Sequence, residues 1–276
     1  MSAPSQAPSS PAARHAVMLI TGGSRGIGAA TALIAAQRGY AVAINYTHNA
    51  QAAQEVVNTI TAAGGRAIAI QADVADEAQV MRMFATVDAQ LGPLSALVNN
   101  AGVVDQPSRV EAMSVERLRR MFDINVIGSM VCAREAVRRM STRSGQVNFG
   151  SAPRPNGGRY GQGGAIVNVS SAASRLGSPD QYVDYAAAKG AIDSFTLGLA
   201  KEVAADGIRV NAVRPGLIET DIHASGGLPN RVADLAHQVP MKRGGTADEV
   251  ALAILWLLSA EASYTTMSLV DVSGGR

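Results

Sequence analysis

The stretch Thr21-Gly-Gly-Ser-Arg-Gly-Ile-Gly28 constrains this chain more than any other. It follows the short apolar run Ala16–Ile20 and opens an alanine-rich helical pattern that lasts to about Gly39. A buried strand running through a glycine turn into a helix leaves the first N–H groups of that helix without partners. It also aims the positive end of the helix dipole at the turn. Glycines let a ligand approach the backbone closely, so the turn suits the pyrophosphate of a dinucleotide. The glycines are Gly22, Gly26 and Gly28. Three residues separate the first two, a departure from the GxGxxG spacing, but the strand-turn-helix context is the one such a motif requires.

The pattern continues as alternating strands and helices. Further strands are predicted at Ala41–Asn45, Ala67–Gln71, Leu94–Asn99, Ala165–Val169, Ile208–Val213 and Ser268–Val272. Helices are predicted at Asn49–Ala63, Asp76–Gln90, Ser114–Ile124, Asn125–Ser141, Tyr182–Ala204 and from Thr246 to about Leu258. Short apolar strands separated by helices of this length predict βαβ units. The fold class is α/β: one doubly wound parallel sheet of seven strands with helices on both faces. A chain of 276 residues that is 47% hydrophobic can build that as one large domain, here residues 15–276. The Ser/Pro/Ala-rich start, residues 1–14, is predicted to be a disordered tail and lacks the apolar centre of a secretory signal. The Gly/Pro-rich segment 144–164 reads as a surface excursion, and Asp221–Pro240 as loop.

Composition removes several function classes. A net charge of +2 with dispersed charges provides no basic face for nucleic acid. No run approaches the roughly 18 apolar residues of a membrane span. The single cysteine, Cys132, falls in an apolar helical stretch and reads as a buried small hydrophobe. A cytoplasmic protein is expected, with no metal site.

The second strand ends in Asn45-Tyr46-Thr47, where an Asp or Glu would grip a ribose 2′-hydroxyl and repel a 2′-phosphate. Arg25, inside the glycine turn, can pair with a 2′-phosphate. NADP(H) is therefore favoured over NAD(H). The competing reading is that Arg25 is a solvated surface charge.

Tyr185 and Lys189 lie four residues apart in the predicted long helix, so they share a face. A phenol titrates near pH 10. A neighbouring ammonium is expected to lower that pKa and make the pair an acid/base centre. Alone, this spacing is weak evidence, because both residues are common on helix surfaces.

With these residues on the page, the chain from Val17 to Gly275 resembles the short-chain dehydrogenase/reductase family. Thr21–Gly28 fits its TGxxxGxG pattern, Asn99-Asn100-Ala101-Gly102 its NNAG motif, Tyr185 and Lys189 its YxxxK pair, and Pro215-Gly216 with Thr220 its PG motif. Asn125 and Ser171 fit its active-site asparagine and serine. Ser170 competes with Ser171, although the family pattern favours the second serine. The stretches around Ser171–Gly190 and Arg209–Gly227 are similar to bacterial glucose-dehydrogenase-like and 3-oxoacyl-carrier-protein-reductase-like members.

The resemblance implies a three-layer Rossmann fold and hydride transfer between the nicotinamide and a carbonyl or secondary alcohol. Tyr185 would be the general acid or base, and Ser171 would hold the substrate oxygen. Lys189 would lower the phenol pKa and bind the nicotinamide ribose, and Asn125 would hold a water on the proton route. Cofactor contacts would come from Gly22, Ser24, Arg25, Gly26, Ile27 and Gly28, and from Asn45, Tyr46 and Thr47. Asp73 and Val74 would meet the adenine, and Asn100, Ala101 and Gly102 its ribose. Pro215, Gly216, Ile218 and Thr220 would close over the nicotinamide. Asp73 could instead cap the next helix, and Asn125 could be a helix-kink asparagine.

Two features depart from the family: the length of 144–164, and Met267, where many relatives have glycine. Relatives usually form tetramers, so a homotetramer is expected. The segments expected to meet substrate, 172–182 and 217–238 with Val103-Val104-Asp105, are mixed in character and show no cationic cluster aimed at a carboxylate. The alternative to an NADPH-dependent ketone reductase is a non-catalytic NADP-binding sensor or scaffold.

Overall fold

The structure, a computed structural model, describes residues 16–143 and 162–276. The predicted tail and residues 144–161 of the predicted excursion lie outside the described residues. Seven parallel strands form one sheet in the order β3-β2-β1-β4-β5-β6-β7. They are β1 Val17–Ile20, β2 Ala41–Tyr46, β3 Arg66–Gln71, β4 Leu94–Asn99, β5 Gly164–Val169, β6 Ile208–Pro215 and β7 Leu269–Val272. The main helices are α1 Gly26–Gln37, α2 Ala50–Ala62, α3 Glu77–Gln90, α4 Val115–Phe122, α5 Gly128–Met140, α7 Val183–Val203 and α10 Ala247–Leu258. Short helices α6 Ala173–Leu176, α8 Ile222–Ser225 and α9 Arg231–Leu235 lie between them.

Side chains alternate across a strand, and here both faces are apolar. Val17 and Leu19 of β1 join Ala41, Ala43 and Leu97 against α3, α5 and the end of α7. Met18 and Ile20 join Val42, Ile44, Val98 and Val167 against α1, α2 and α10. Each fully buried aliphatic side chain contributes about 1.5–3 kcal/mol relative to exposure. Cys132 is buried in the first layer, and burial pushes its thiol up to about 12, so it packs as a hydrophobe. The predicted start of α10 is a capping box: Thr246 Oγ accepts from Glu249 N at 3.2 Å, and the Glu249 carboxylate accepts from Thr246 N at 2.8 Å.

The structure differs from the sequence-based expectation at three places. Residues 123–127 form a π turn between α4 and α5 rather than a simple junction of two helices. Gly128 begins α5 against β3's continuation; a Cβ there would sit 2.8 Å from the Val74 carbonyl oxygen. The segment Asp221–Pro240, predicted as loop, contains α8 and α9. Helices that short carry no readable period, and Gly226, Gly227 and Pro229 mask what there is. Met267 adopts φ 64°, the left-handed conformation that favours glycine. Its backbone N–H donates to Val210 O at 2.8 Å, and Asn211 grips both sides of it, donating to Thr265 O and accepting from Ser268 N. Those bonds hold a conformation that costs a β-carbon-bearing residue roughly 1–2 kcal/mol.

A buried ion group that sequence periodicity did not reveal ties α5 to α3. Arg139 donates to Asp88 at 2.8 Å and to Glu135 at 2.9 Å, with its guanidinium 4.9 Å from the centre of the Phe84 ring.

Candidate active site

Everything predicted to act chemically comes from the carboxyl ends of β1, β2, β4, β5 and β6, from the loops that follow them, or from helices α5's approach and α7. These ends surround one continuous cleft of about 1240 Å³. That exceeds the several hundred Å³ of an ordinary small-ligand pocket and is large enough for a dinucleotide and a substrate together.

The glycine turn is built as a cradle. Gly22 and Gly26 have φ of 61° and 52°, and a Cβ on Gly22 would lie 2.9 Å from Ala101 Cα. Gly28 lies behind the cleft rather than on its wall; a Cβ there would meet the Gly22 carbonyl oxygen at 2.4 Å, so only glycine lets the turn fold onto α1. Asn100 donates to the carbonyls of Thr21 and Gly22 at 2.9 and 2.8 Å, and Thr21 Oγ1 accepts from the N–H groups of Asn100 and Ala101. Ser24, Arg25, Gly26 and Ile27 line the cleft where α1 begins. These features fit a pyrophosphate: open backbone, a helix N-terminus and no carboxylate in the turn.

Asn45 does not face this space. It is buried, donates to Ala72 O at 2.9 Å and accepts from Gly22 N at 3.2 Å, so it fastens the turn to the end of β3. A direct cofactor contact was predicted for it, but its side chain points inward and is fully used. Tyr46 and Thr47 do line the cleft, joined by His48 and Asn49, which the sequence reading omitted. Asn49 also caps α2, accepting from Ala52 N at 3.0 Å. Arg25 is exposed and touches Ser225 Oγ at 3.4 Å. Asp73 and Val74 line the same end. The cap of α3 is Asp76, which accepts from Gln79 N, whereas the Asp73 carboxylate accepts from Ala75 N at 2.9 Å and its carbonyl from Asp76 N at 3.1 Å.

Tyr185, Lys189 and Ser171 meet at the other end. Ser170 and Ser171 both line the cleft, but the Ser170 hydroxyl is buried and committed to Lys189 O at 3.2 Å, whereas Ser171 Oγ accepts from Ala173 N at 3.1 Å and is the less buried of the two. Lys189 Nζ donates to Val169 O at 2.7 Å and lies 5.6 Å from the centre of the Tyr185 ring. Burial pushes the Lys189 ammonium down to about 8, with Asp193 opposing. Burial also pushes the Tyr185 phenol above its ordinary value, with a hydrogen bond to Ser171 opposing. The net direction is opposite to the lowering expected from Lys189, because burial outweighs the hydrogen bond to Ser171 that opposes it. A raised phenol is protonated at neutral pH and is ready to give a proton rather than take one.

Asn125 is fully buried in the π turn and is not part of the cleft wall. Its amide donates to Val103 O and Met121 O, both at 3.0 Å, and accepts from Val103 N at 3.1 Å. The extra residue of the π turn aims this side chain at the loop after β4. Gly102 separates it from Lys189: a Cβ there would be 2.7 Å from Asn125 Oδ1 and 3.5 Å from Lys189 Nζ. Pro215, Gly216, Ile218 and Thr220 line the cleft after β6. Gly216 packs on Ser273, where a Cβ would approach within 2.7 Å.

Two groups escaped the sequence reading. Arg117 of α4 and Asp184 of α7 form a buried ion pair at 2.8 Å, and Asp184 accepts from Tyr185 N at 2.9 Å. They fix the start of the helix that presents Tyr185; an acid in a first helical turn was the available signal. The second group is cationic. Arg231 and Arg276 both reach the cleft, so the substrate end is not merely mixed in character.

The sheet order places this cleft at a topological switch point, where open α/β sheets bind nucleotides. Comparison with known proteins agrees. A family model described as enoyl-(acyl carrier protein) reductase matches residues 22–276. The uncharacterized oxidoreductase YgfF of Escherichia coli (strain K12) is 56% identical over 95% of this chain and 100% of its own. A short-chain dehydrogenase/reductase from Serratia marcescens superposes with a TM-score of 0.81 at 31% identity, covering 94% of this chain and 97% of that one. A blue fluorescent protein from a metagenomic library, solved in complex with NADPH, does so at 0.81 and 32%, with the same coverage. The chain belongs to the short-chain dehydrogenase/reductase family and is an oxidoreductase. Among the described residues no helix is long and apolar enough to cross a membrane, and no cluster of His, Cys, Asp and Glu is arranged for a metal.

Proposed function

We propose that the protein is an NADPH-dependent reductase of ketones or related carbonyl compounds. The observation that carries this is the convergence of Ser171, Tyr185 and Lys189 on the same cleft as the glycine cradle. Bound NADPH supplies a hydride to the carbonyl carbon. Ser171 Oγ and Tyr185 Oη donate hydrogen bonds to the carbonyl oxygen, and Tyr185 transfers its proton there as negative charge develops. Lys189, with a pKa near 8, stays charged at neutral pH, binds the nicotinamide ribose and stabilises the phenolate left behind. Asn125 serves by fixing Val103 and the backbone beside Gly102 rather than by touching substrate.

NADPH is preferred because Arg25 lines the same cleft as Tyr46 and Thr47, where no acid follows β2, and a structural neighbour was solved in complex with NADPH. Initial rates over a panel of ketones, diketones, sugars and 3-oxoacyl thioesters, with each nucleotide, test the proposal. Arg25→Ala should weaken NADPH about 10–100-fold, the range of a charge-assisted hydrogen bond, and barely affect NADH. A wild-type preference for NADH defeats the cofactor assignment. Tight NADPH binding with no turnover on any carbonyl points instead to a sensor.

A homotetramer is proposed as well. Leu252 and Trp256, one turn apart on α10, are both exposed, and β7 beside them is a sheet edge. Light scattering at micromolar concentration should return about four times the 28.4 kDa chain mass; a monomer rules it out.

A further inference from the structure

The cations around the substrate end of the cleft are not equivalent. Arg117 is neutralised by Asp184 at 2.8 Å, Arg120 by Asp105 at 3.2 Å and Arg175 by Asp271 at 3.3 Å. Arg231, at the start of α9, has no such partner. Its Nη1 donates to the neutral side-chain oxygen of Gln181, and its guanidinium stacks 5.3 Å from the centre of the Tyr182 ring. No described carboxylate forms an ion pair with it. Burial lowers its pKa, Tyr182 opposes that, and the positive charge of Arg276 adds a lesser lowering. A half-buried guanidinium facing a second cation is a standing electrostatic cost that an anion would relieve.

Its position relates it to the chemistry. Tyr182 is the N-cap residue of α7 and Tyr185 lies in its first turn, and both line the cleft. Tyr182 is held in place by its hydroxyl, which donates to Gly226 O at 3.3 Å. The stacked guanidinium therefore lines the same cleft as the phenol that meets the carbonyl.

Taking the carbonyl-reductase reading as its basis, we infer that the substrate carries an anionic group, a carboxylate or phosphate, bound by Arg231 in the same cleft as the reacting carbonyl. Gln181 and Tyr182 preorganise that guanidinium and leave its remaining N–H groups free for two oxygens. Oxo acids and phosphorylated hydroxyketones are the compatible classes.

The test uses the full-length protein with NADPH and matched pairs: short 3-oxo acids against their methyl esters, and a hydroxyketone phosphate against the free hydroxyketone. The wild type should favour one anionic member at least tenfold in kcat/KM, and which pair shows this identifies the anion. Arg231→Leu should lose about 10–100-fold on that anion, with under twofold change on its neutral partner and on the NADPH Kd. Arg231→Lys, which keeps the charge, should fall between. Equal rates on both members of both pairs overturn the inference, as does an equal loss on anion and neutral partner in Arg231→Leu. A parallel rise in the NADPH Kd would reassign Arg231 to the cofactor and overturn it too. Turnover of no carbonyl at all removes the reductase reading itself, a different failure from turnover without anion preference.

Discussion

Replacing Tyr185 by Phe is expected to lower kcat for carbonyl reduction about 10²–10⁴-fold while leaving the NADPH Kd within about threefold of wild type. The ring keeps its place over Lys189, so packing is preserved and only the hydroxyl is lost. The proton donor and one of two hydrogen bonds to the carbonyl oxygen disappear together. Ser171 and the bound hydride donor remain, which is why a residue of activity survives. The decisive readout is the pH profile. The wild type should lose reductive rate as the phenol deprotonates at high pH, because only the protonated form is the acid. The variant should show no such limb. A variant with a wild-type profile would mean that some other group supplies the proton.

Arg139→Ala should produce the largest stability loss of any single change at a polar residue remote from the cleft, about 3–5 kcal/mol. The substitution leaves Glu135 and Asp88 as buried charges without their shared cation. Asp88 already has its pKa raised by burial, which Arg139 opposes. Arg134 and Arg138 also touch Glu135, so the residual cost concentrates on Asp88. Thermal unfolding should fall by roughly 6–20 °C. Adding Asp88→Asn to Arg139→Ala should restore part of the loss, since the uncompensated charge is then gone. A loss under about 1 kcal/mol in the single variant would show that the group is solvated in solution and that its burial is not as described.

The parts legible in sequence share a physical cause: they are set by local pattern. β1 is four consecutive apolar residues before a glycine turn, and its place in the centre of a two-sided sheet follows from that run. Ser170 and Ser171 both reach the cleft just past β5, and they differ in that the Ser170 hydroxyl is buried and committed to Lys189 O. Thr246 and Glu249 announce α10 because a capping box is a contact between neighbours three residues apart. What stayed hidden depends on distant partners. Asn45 looks like a cleft residue until Gly22 and Ala72 are seen to claim its amide. Nothing near Arg139 in sequence announces Asp88, 51 residues away. Arg231 sits in a stretch without period, and its meaning comes from Gln181 and Tyr182, which reach it from the other side of the cleft. The direction of the Tyr185 shift also needed the fold, because it is set by how deeply the phenol is buried, with the hydrogen bond to Ser171 opposing.

The pairing of β1 with β4 has a consequence for how this protein comes to exist in working form. Chain direction across the sheet reverses there: β1, β2 and β3 grow outward to one edge, and β4 through β7 to the other. The cradle belongs to the first half of the chain, and the proton-transfer residues to the second. Neither half alone contains a site, and no local segment can rehearse it. Catalytic competence therefore arrives only when strands about 75 residues apart close the seam at Val17–Ile20, with the loop-closure entropy of that join already met. The same seam brings Asn100 and Ala101 onto the glycine turn, so the cradle closes with it, and the chemistry waits for β5, α7 and β6 to dock beside them.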